Sequence, residues 1–157
     1  MHIYDYRDLI VWQRSVDLTV RVYDIVKTFP VVERYGLASQ MTRASVSVAS
    51  NIAEGNAFSH RAQYIRFIGF ARGSLFELAT QVEIATRLTF ISPSDAERVF
   101  ADIDAISRML RRLQHRLRET AKSTGNRPLP SSPRRPPAAA SPRRPSAAAY
   151  LTPSIAP

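Results

Sequence analysis

Six apolar residues, Val99, Ile103, Ile106, Leu110, Leu113 and Leu117, recur at alternating spacings of four and three without interruption. Only an α-helix returns such positions to one face, so the segment can bury them only as a helix laid along other helices. Three further segments carry the same period. From Asp8 to Phe29 two apolar sets run side by side: Leu9, Trp12, Val16, Tyr23 and Val26, with Thr19 filling the gap, and Val11, Leu18, Val22, Ile25 and Phe29. A single buried stripe suffices for a surface helix, so two stripes imply cover from two sides and hint at self-association. Phe29-Pro30 stops this helix, because the residue before proline is pushed out of the α region.

The second helix is expected to start near Glu33 to Gly36 and to run to about Gly55, with Leu37, Met41, Ala44, Val48 and Ile52 as its core stripe. The third should open after Ser59 as N-cap and continue through Tyr64, Phe67, Ile68, Ala71, Leu75, Leu78, Val82 and Ala85 to about Leu88. Gly69 and Gly73 lie four apart on it, a spacing that lets another backbone come close. Ser94 with Glu97 matches a capping box at the head of the fourth helix. No segment alternates with period two. Long helices joined by short connections predict an all-α, antiparallel up-down-up-down four-helix bundle.

The foldable part is read as residues 1–120. The last 37 residues, from Ala121, hold nine of the eleven prolines with abundant Ala, Ser and Arg and few large apolar side chains, which predicts a disordered Pro/Arg/Ala-rich C-terminal tail. Within it "SPRRPPAAA" is followed at once by "SPRRPSAAA", a near-duplication too short for a solenoid. The tail contributes +6 of the net charge of +9, and residues 1–120 contribute +3. A polycationic arm attracts phosphate backbones or anionic lipid without base preference, so the overall charge argues only weakly for nucleic acid. The absence of cysteine rules out disulfides and thiolate chemistry and fits a reducing cytoplasm. Charges at Asp5, Arg7 and Asp8 predict no signal peptide, and no core segment has the roughly 18 uncharged residues of a membrane span. No membrane partner is expected.

Catalysis finds little support in the residues. His2, His60 and His115 are scattered, and no His-x-x-x-His or Glu-x-x-His pair is present, so neither a metal nor a cofactor is expected. A P-loop, a dinucleotide-binding glycine turn and a nucleophile elbow are missing. Glu77 and Glu83 are six apart and lie on different faces of helix three. The expectation is a protein that is not an enzyme, without catalytic residues.

Two polar constellations remain. One face of helix two carries Gln40, Arg43, Ser47, Asn51 and Glu54, and Gly55 follows. Gly55 suits the left-handed residue after a helix end, and Glu54 would sit near the N-terminus of helix three, so structural roles account for both. The rest of that face is suited to hydrogen bonding with another helix or another subunit. The second constellation is basic: Arg108, Arg111, Arg112, His115 and Arg118 line the side of helix four away from its leucine seam, and no Asp or Glu interrupts Ser107 to Arg118. Such a face can grip phosphates, or it can be solvated cations placed to suit a helix C-terminus. Charge patterning alone does not separate these. Arg61, Arg66, Arg72 and Arg87 on helix three have a wide angular spread. Aromatic interleaving is absent, so any binding should be to backbone and shape.

The segments "LIVWQRSVDL", "FPVVERYGLASQMTRASVSVASNIAEG" and "YIRFIGFARGSLFELATQVEIATRL" resemble the four-helix bundle family encoded by intervening sequences in bacterial 23S ribosomal RNA genes. That family takes in distant relatives of the accessory variability determinant of diversity-generating retroelements. The likeness spans about Tyr6 to Leu117. It implies a ring-forming bundle, a homopentamer, without catalytic activity. For the accessory-determinant branch it also implies a basic surface that binds RNA or DNA and a reverse transcriptase as protein partner. Gln40, Arg43, Ser47, Asn51, Glu54, Gly55, Gly73, Ser74 and Glu77 fall on the family's signature positions, which the resemblance casts as packing and subunit-contact residues. Ala49 stands where many relatives have proline. Asn56-Ala57-Phe58 replaces the glycine and basic residues common after Glu-Gly, which weakens any phosphate-binding role for that turn. The expected function is a non-enzymatic, oligomeric accessory or scaffold protein that binds nucleic acid; the alternative is a protein-protein interaction module with no nucleic-acid role.

Overall fold

The computed structural model describes residues 5–58 and 60–124, the last few (120–124) by backbone alone. Four helices follow in chain order: α1 (Ile10–Val26), α2 (Leu37–Ala57), α3 (Arg61–Arg87) and α4 (Pro93–Thr124). No strand occurs among the described residues. Each helix packs on its two sequence neighbours, α4 closes against α1, and α1–α3 and α2–α4 are the diagonals of an antiparallel up-down-up-down bundle. The core is built from the expected stripes: Val11, Leu18 and Val22 of α1, Met41, Val48 and Ile52 of α2, Ile68, Leu75, Leu78 and Val82 of α3, and Val99, Ile103, Ile106 and Leu110 of α4. The segment read as a disordered tail lies outside the described residues from 125 onward. Its first four residues continue α4, since Ala121 and Lys122 are good helix formers and the nearest proline is Pro128.

Helix ends depart from the sequence reading in instructive ways. α1 is preceded by a 3-10 turn, Tyr6–Asp8, held by the Arg7 N–H donating to Asp5 Oδ1 at 2.9 Å. α2 starts only at Leu37, after a second 3-10 turn over Val31–Arg34, and its cap is remote: the Leu37 N–H donates to Glu33 Oε2 at 2.9 Å. A Cβ at Gly36 would lie 2.6 Å from that carboxylate oxygen, so glycine leaves the cap its room. Ser59 lies outside the described residues; His60 holds the N-cap position of α3 without a side-chain capping bond. α3 ends in a Schellman motif, with the Phe90 N–H donating to the Ala85 carbonyl at 2.9 Å and the Thr89 N–H to the Thr86 carbonyl at 3.0 Å. Thr89 takes the left-handed conformation, φ 60°, that this motif demands. The cap of α4 is Ser92 rather than Ser94. Its hydroxyl accepts from the Asp95 N–H at 3.1 Å and Pro93 occupies the first helical position, where its missing N–H costs nothing.

Gly55 corrects the expectation of a left-handed C′ residue. α2 runs on through it to Ala57, and Gly55 is buried inside the helix. A Cβ there would meet the Tyr64 ring at 2.7 Å and Phe67 Cβ at 2.9 Å, so the glycine serves the close crossing of α2 and α3. Gly69 and Gly73 are the reverse case. Beyond the helix's own backbone, nothing among the described residues comes within 4 Å of a Cβ at either, so the expected close approach does not occur among them.

α1 shows its two stripes unequally. Val11, Ser15, Leu18 and Val22 face the core, whereas Trp12, Val16 and Thr19 are half-buried, Val20 is 57% exposed and Tyr23 is 49% exposed. Tyr23, of the set through Leu9, Trp12 and Val16, is therefore open in the single chain, as is the neighbouring Val20, which belongs to neither set.

Candidate nucleic-acid interface

α4 is amphipathic through its last turns, and the seam that buries Ile106 and Leu110 dictates what points outward. Arg108, Arg111, Arg112, His115 and Arg118 are all exposed on the side remote from that seam. The ion pairs of the described residues lie elsewhere: Arg21–Asp102 at 3.0 Å, Lys27–Asp24 at 2.7 Å, Arg87–Glu83 at 2.7 Å and Arg98–Asp95 at 3.6 Å. None of Arg108, Arg111, Arg112 or Arg118 is ion-paired among the described residues. The outer surface of α4 thus presents four unneutralised guanidinium groups on a rigid rod, a geometry suited to oxyanions spaced along a polymer.

The arginines of α3 separate once the helix is placed. Arg66 lies over the Phe70 ring at 5.3 Å, and Arg87, which lines the α3–α4 groove with Phe100, is tied to Glu83. Arg72 turns towards α4: its Nη1 donates to Gln114 Oε1 at 3.3 Å, and Gln114 Nε2 donates to the Ile65 carbonyl at 3.2 Å. Gln114 sits four residues after Leu110, so it falls within the apolar stripe and is buried. A polar residue inside that stripe was the available sign of a cross-helix contact.

The signature positions divide into an inner and an outer group. Ser47, Asn51 and Ser74 meet between α2 and α3, where Asn51 Nδ2 donates to Ser47 Oγ at 3.0 Å and to the Ser47 carbonyl at 2.8 Å, and Ser74 Oγ donates to Ser47 Oγ at 2.9 Å. With Gly55 against Tyr64 and Phe67, these residues set how α2 lies on α3. Gln40, Arg43, Glu54, Gly73 and Glu77 are exposed, and Glu77 Oε1 accepts from Gln81 Nε2 at 3.1 Å. No bond from an α3 backbone N–H to Glu54 is found among the described residues.

Among the described residues no cluster of three or more His, Asp and Glu side chains is placed to hold a metal ion, and no helix is long and apolar enough to cross a membrane. Tyr64 is the buried titratable group here. Burial alone pushes its hydroxyl up to about 12, and that oxygen has no hydrogen-bond partner among the described residues.

Comparison with known proteins bears on family and fold. No curated protein matches the chain. A solved structure, that of a protein of unknown function from the S23 ribosomal protein family of Bacteroides thetaiotaomicron, superposes with a TM-score of 0.63 at 21% identity, covering 68% of this chain and 96% of that one. At that identity the likeness speaks to the fold alone. The family model described as 23S rRNA-intervening sequence protein matches residues 7–112, which take in all of α1, α2 and α3 and α4 as far as Arg112, with Arg108 and Arg111. The chain belongs to the 23S rRNA-intervening sequence protein family.

Proposed function

We propose that this protein is a non-enzymatic, self-associating bundle of the cytoplasm that holds the sugar-phosphate backbone of structured RNA or DNA against α4 as an accessory or scaffold. The observation that carries the reading is the row of exposed arginines, Arg108, Arg111, Arg112 and Arg118, without ion pairs among the described residues, with His115 among them. Cations on a helix present fixed positive charge to phosphates, and the release of counterions from nucleic acid drives the association. The lack of stacking aromatics on this face favours backbone over base recognition. Self-association is supported by the open apolar surface of α1, Tyr23 of the predicted stripe and Val20 beside it; a ring of five rests on the family resemblance. If the accessory-determinant branch is the right comparison, the protein partner is a reverse transcriptase.

The test is charge reversal. Arg108→Glu, Arg111→Glu and Arg112→Glu together should abolish binding of the full chain to duplex RNA and DNA in gel shift, while light scattering reports an unchanged oligomer. Unchanged affinity would remove α4 as the site.

One observation favours a second reading, a protein-interaction module. Val31, Val32 and Tyr35, at the α1–α2 connection, are 84–89% exposed, and Val31 and Tyr35 border, with Tyr23 and Phe29, an open groove of about 730 Å³. Exposed apolar clusters mark protein contacts. Recovery of one protein in fixed ratio after nuclease treatment, lost in Tyr35→Ser, would favour this reading.

A further inference from the structure

We infer that Arg72 is a phosphate-binding residue, and that one backbone phosphate seats in the groove between α3 and α4 against Arg72, Arg111 and Arg118; this deepens the nucleic-acid reading and rests on it. Arg72 is half-buried and takes part in no ion pair among the described residues. Its Nη1 is engaged by Gln114, but its Nε–H is buried without an acceptor among the described residues. A guanidinium withdrawn from water normally finds a carboxylate, because desolvating an unpaired cation is costly. Gln114 supplies only a neutral carbonyl oxygen. Its own amide is fixed by the Ile65 carbonyl, so the pair is held in place rather than free to swing to solvent.

The surroundings point to an anion. Arg111 lies one turn before Gln114 and Arg118 one turn after it. Both share a stripe of α4 with Phe100, which lines the α3–α4 groove with Phe76, Ala79, Glu83 and Arg87, so both lie towards α3, the side on which Gln114 meets Arg72. Arg111 and Arg118 thus stand one turn to either side of the residue that holds Arg72, and no carboxylate is paired with any of the three among the described residues. Arginine forks match phosphate oxygens in bidentate fashion, and a group already held by Gln114 loses little freedom on binding. Arg72 would fix where along the groove the backbone sits, while the outer arginines of α4 supply attraction.

The experiment compares the full wild-type chain with Arg72→Met, Arg72→Lys and the exposed-residue variant Arg111→Met/Arg118→Met. Two readouts are used: the salt dependence of duplex RNA affinity, and the rise in melting temperature given by millimolar inorganic pyrophosphate. The inference expects Arg72→Met to lower the slope of log K against log salt by about 1 and to lose the pyrophosphate effect. Arg72→Lys should keep the slope with weaker affinity, and Arg111→Met/Arg118→Met, which leaves the buried pair intact, should also lose the pyrophosphate effect. Retention of both slope and pyrophosphate stabilisation in Arg72→Met would overturn the inference, whatever charge reversal on α4 does. If charge reversal leaves RNA affinity unchanged but pyrophosphate stabilises wild type and not Arg72→Met, the anion site stands and the nucleic-acid reading falls. No stabilisation of wild type and no slope change in Arg72→Met would sink the inference, and unchanged RNA affinity after charge reversal would sink the nucleic-acid reading as well.

Discussion

Replacing Gly55 by alanine sets two effects against each other at a position whose geometry decides the sign. Helix propensity alone favours alanine by up to about 1 kcal/mol in a helix interior. The new methyl, however, would sit 2.7 Å from Tyr64 Cδ2 and 2.9 Å from Phe67 Cβ, closer than carbon atoms approach. Neither neighbour can yield cheaply: the Tyr64 ring is 4% exposed, and Phe67 Cβ is attached to the α3 backbone. Forcing an extra methyl into such a contact costs about 1–3 kcal/mol, so Gly55→Ala should lose about 1 kcal/mol net. Gly69→Ala and Gly73→Ala are the internal controls. With nothing within 4 Å, each should gain about 0.5–1 kcal/mol from propensity. Gly55→Ala and Gly73→Ala should therefore differ by roughly 2 kcal/mol, or roughly 8 °C in midpoint for a domain of this size. Thermal and urea unfolding followed by far-ultraviolet circular dichroism resolves a gap of that size. A Gly55→Ala protein as stable as Gly73→Ala would refute the reasoning that the α2–α3 crossing needs glycine.

Other expectations follow from single features. Thr89→Gly relieves a β-branched residue of its left-handed conformation and should stabilise by about 1 kcal/mol in urea unfolding, where a loss would contradict the Schellman geometry. Ser92→Ala removes the α4 cap and should cost about 1 kcal/mol, whereas Ser94→Ala should cost less than half as much. Tyr64→Phe deletes a buried, unpartnered hydroxyl and should be neutral or stabilising at neutral pH. The folded pKa of that tyrosine lies above the unfolded value of 10, so the unfolded chain binds fewer protons in alkali and stability falls between about pH 10 and 12. Stability-versus-pH curves of wild type and Tyr64→Phe should separate in that window, and parallel curves would contradict the burial of the hydroxyl.

The bundle was legible because burial imposes its period on sequence: the stripes through Met41, Val48 and Ile52 or Ile103, Ile106 and Leu110 occur only if a helix buries one side. Helix ends were less legible because several side chains compete for the same free N–H groups. Ser92, Ser94 and Asp95 are all competent caps, and only backbone geometry makes Ser92 the acceptor. Glu33 caps α2 across a turn, which no local motif announces. Gly55 was misassigned because a glycine near a helix end reads alike whether it supplies a left-handed residue or space for a neighbour. The exposed face of α4 could be read from the seam opposite it. Arg72 could not, because its meeting with Gln114 depends on the relative rotation of two helices 42 positions apart in sequence.

The measurement that tests the central claim most directly is the salt dependence of duplex RNA binding by the full chain beside its Arg108→Gln/Arg111→Gln/Arg112→Gln variant. Each phosphate neutralised contributes about 0.9 to the slope of log K against log salt on duplex nucleic acid. If these arginines lie on the backbone, the variant's slope should be shallower by about 2–3, with the same melting temperature. Equal slopes would mean that α4 touches no phosphate, and the bundle would have to be explained by a protein partner.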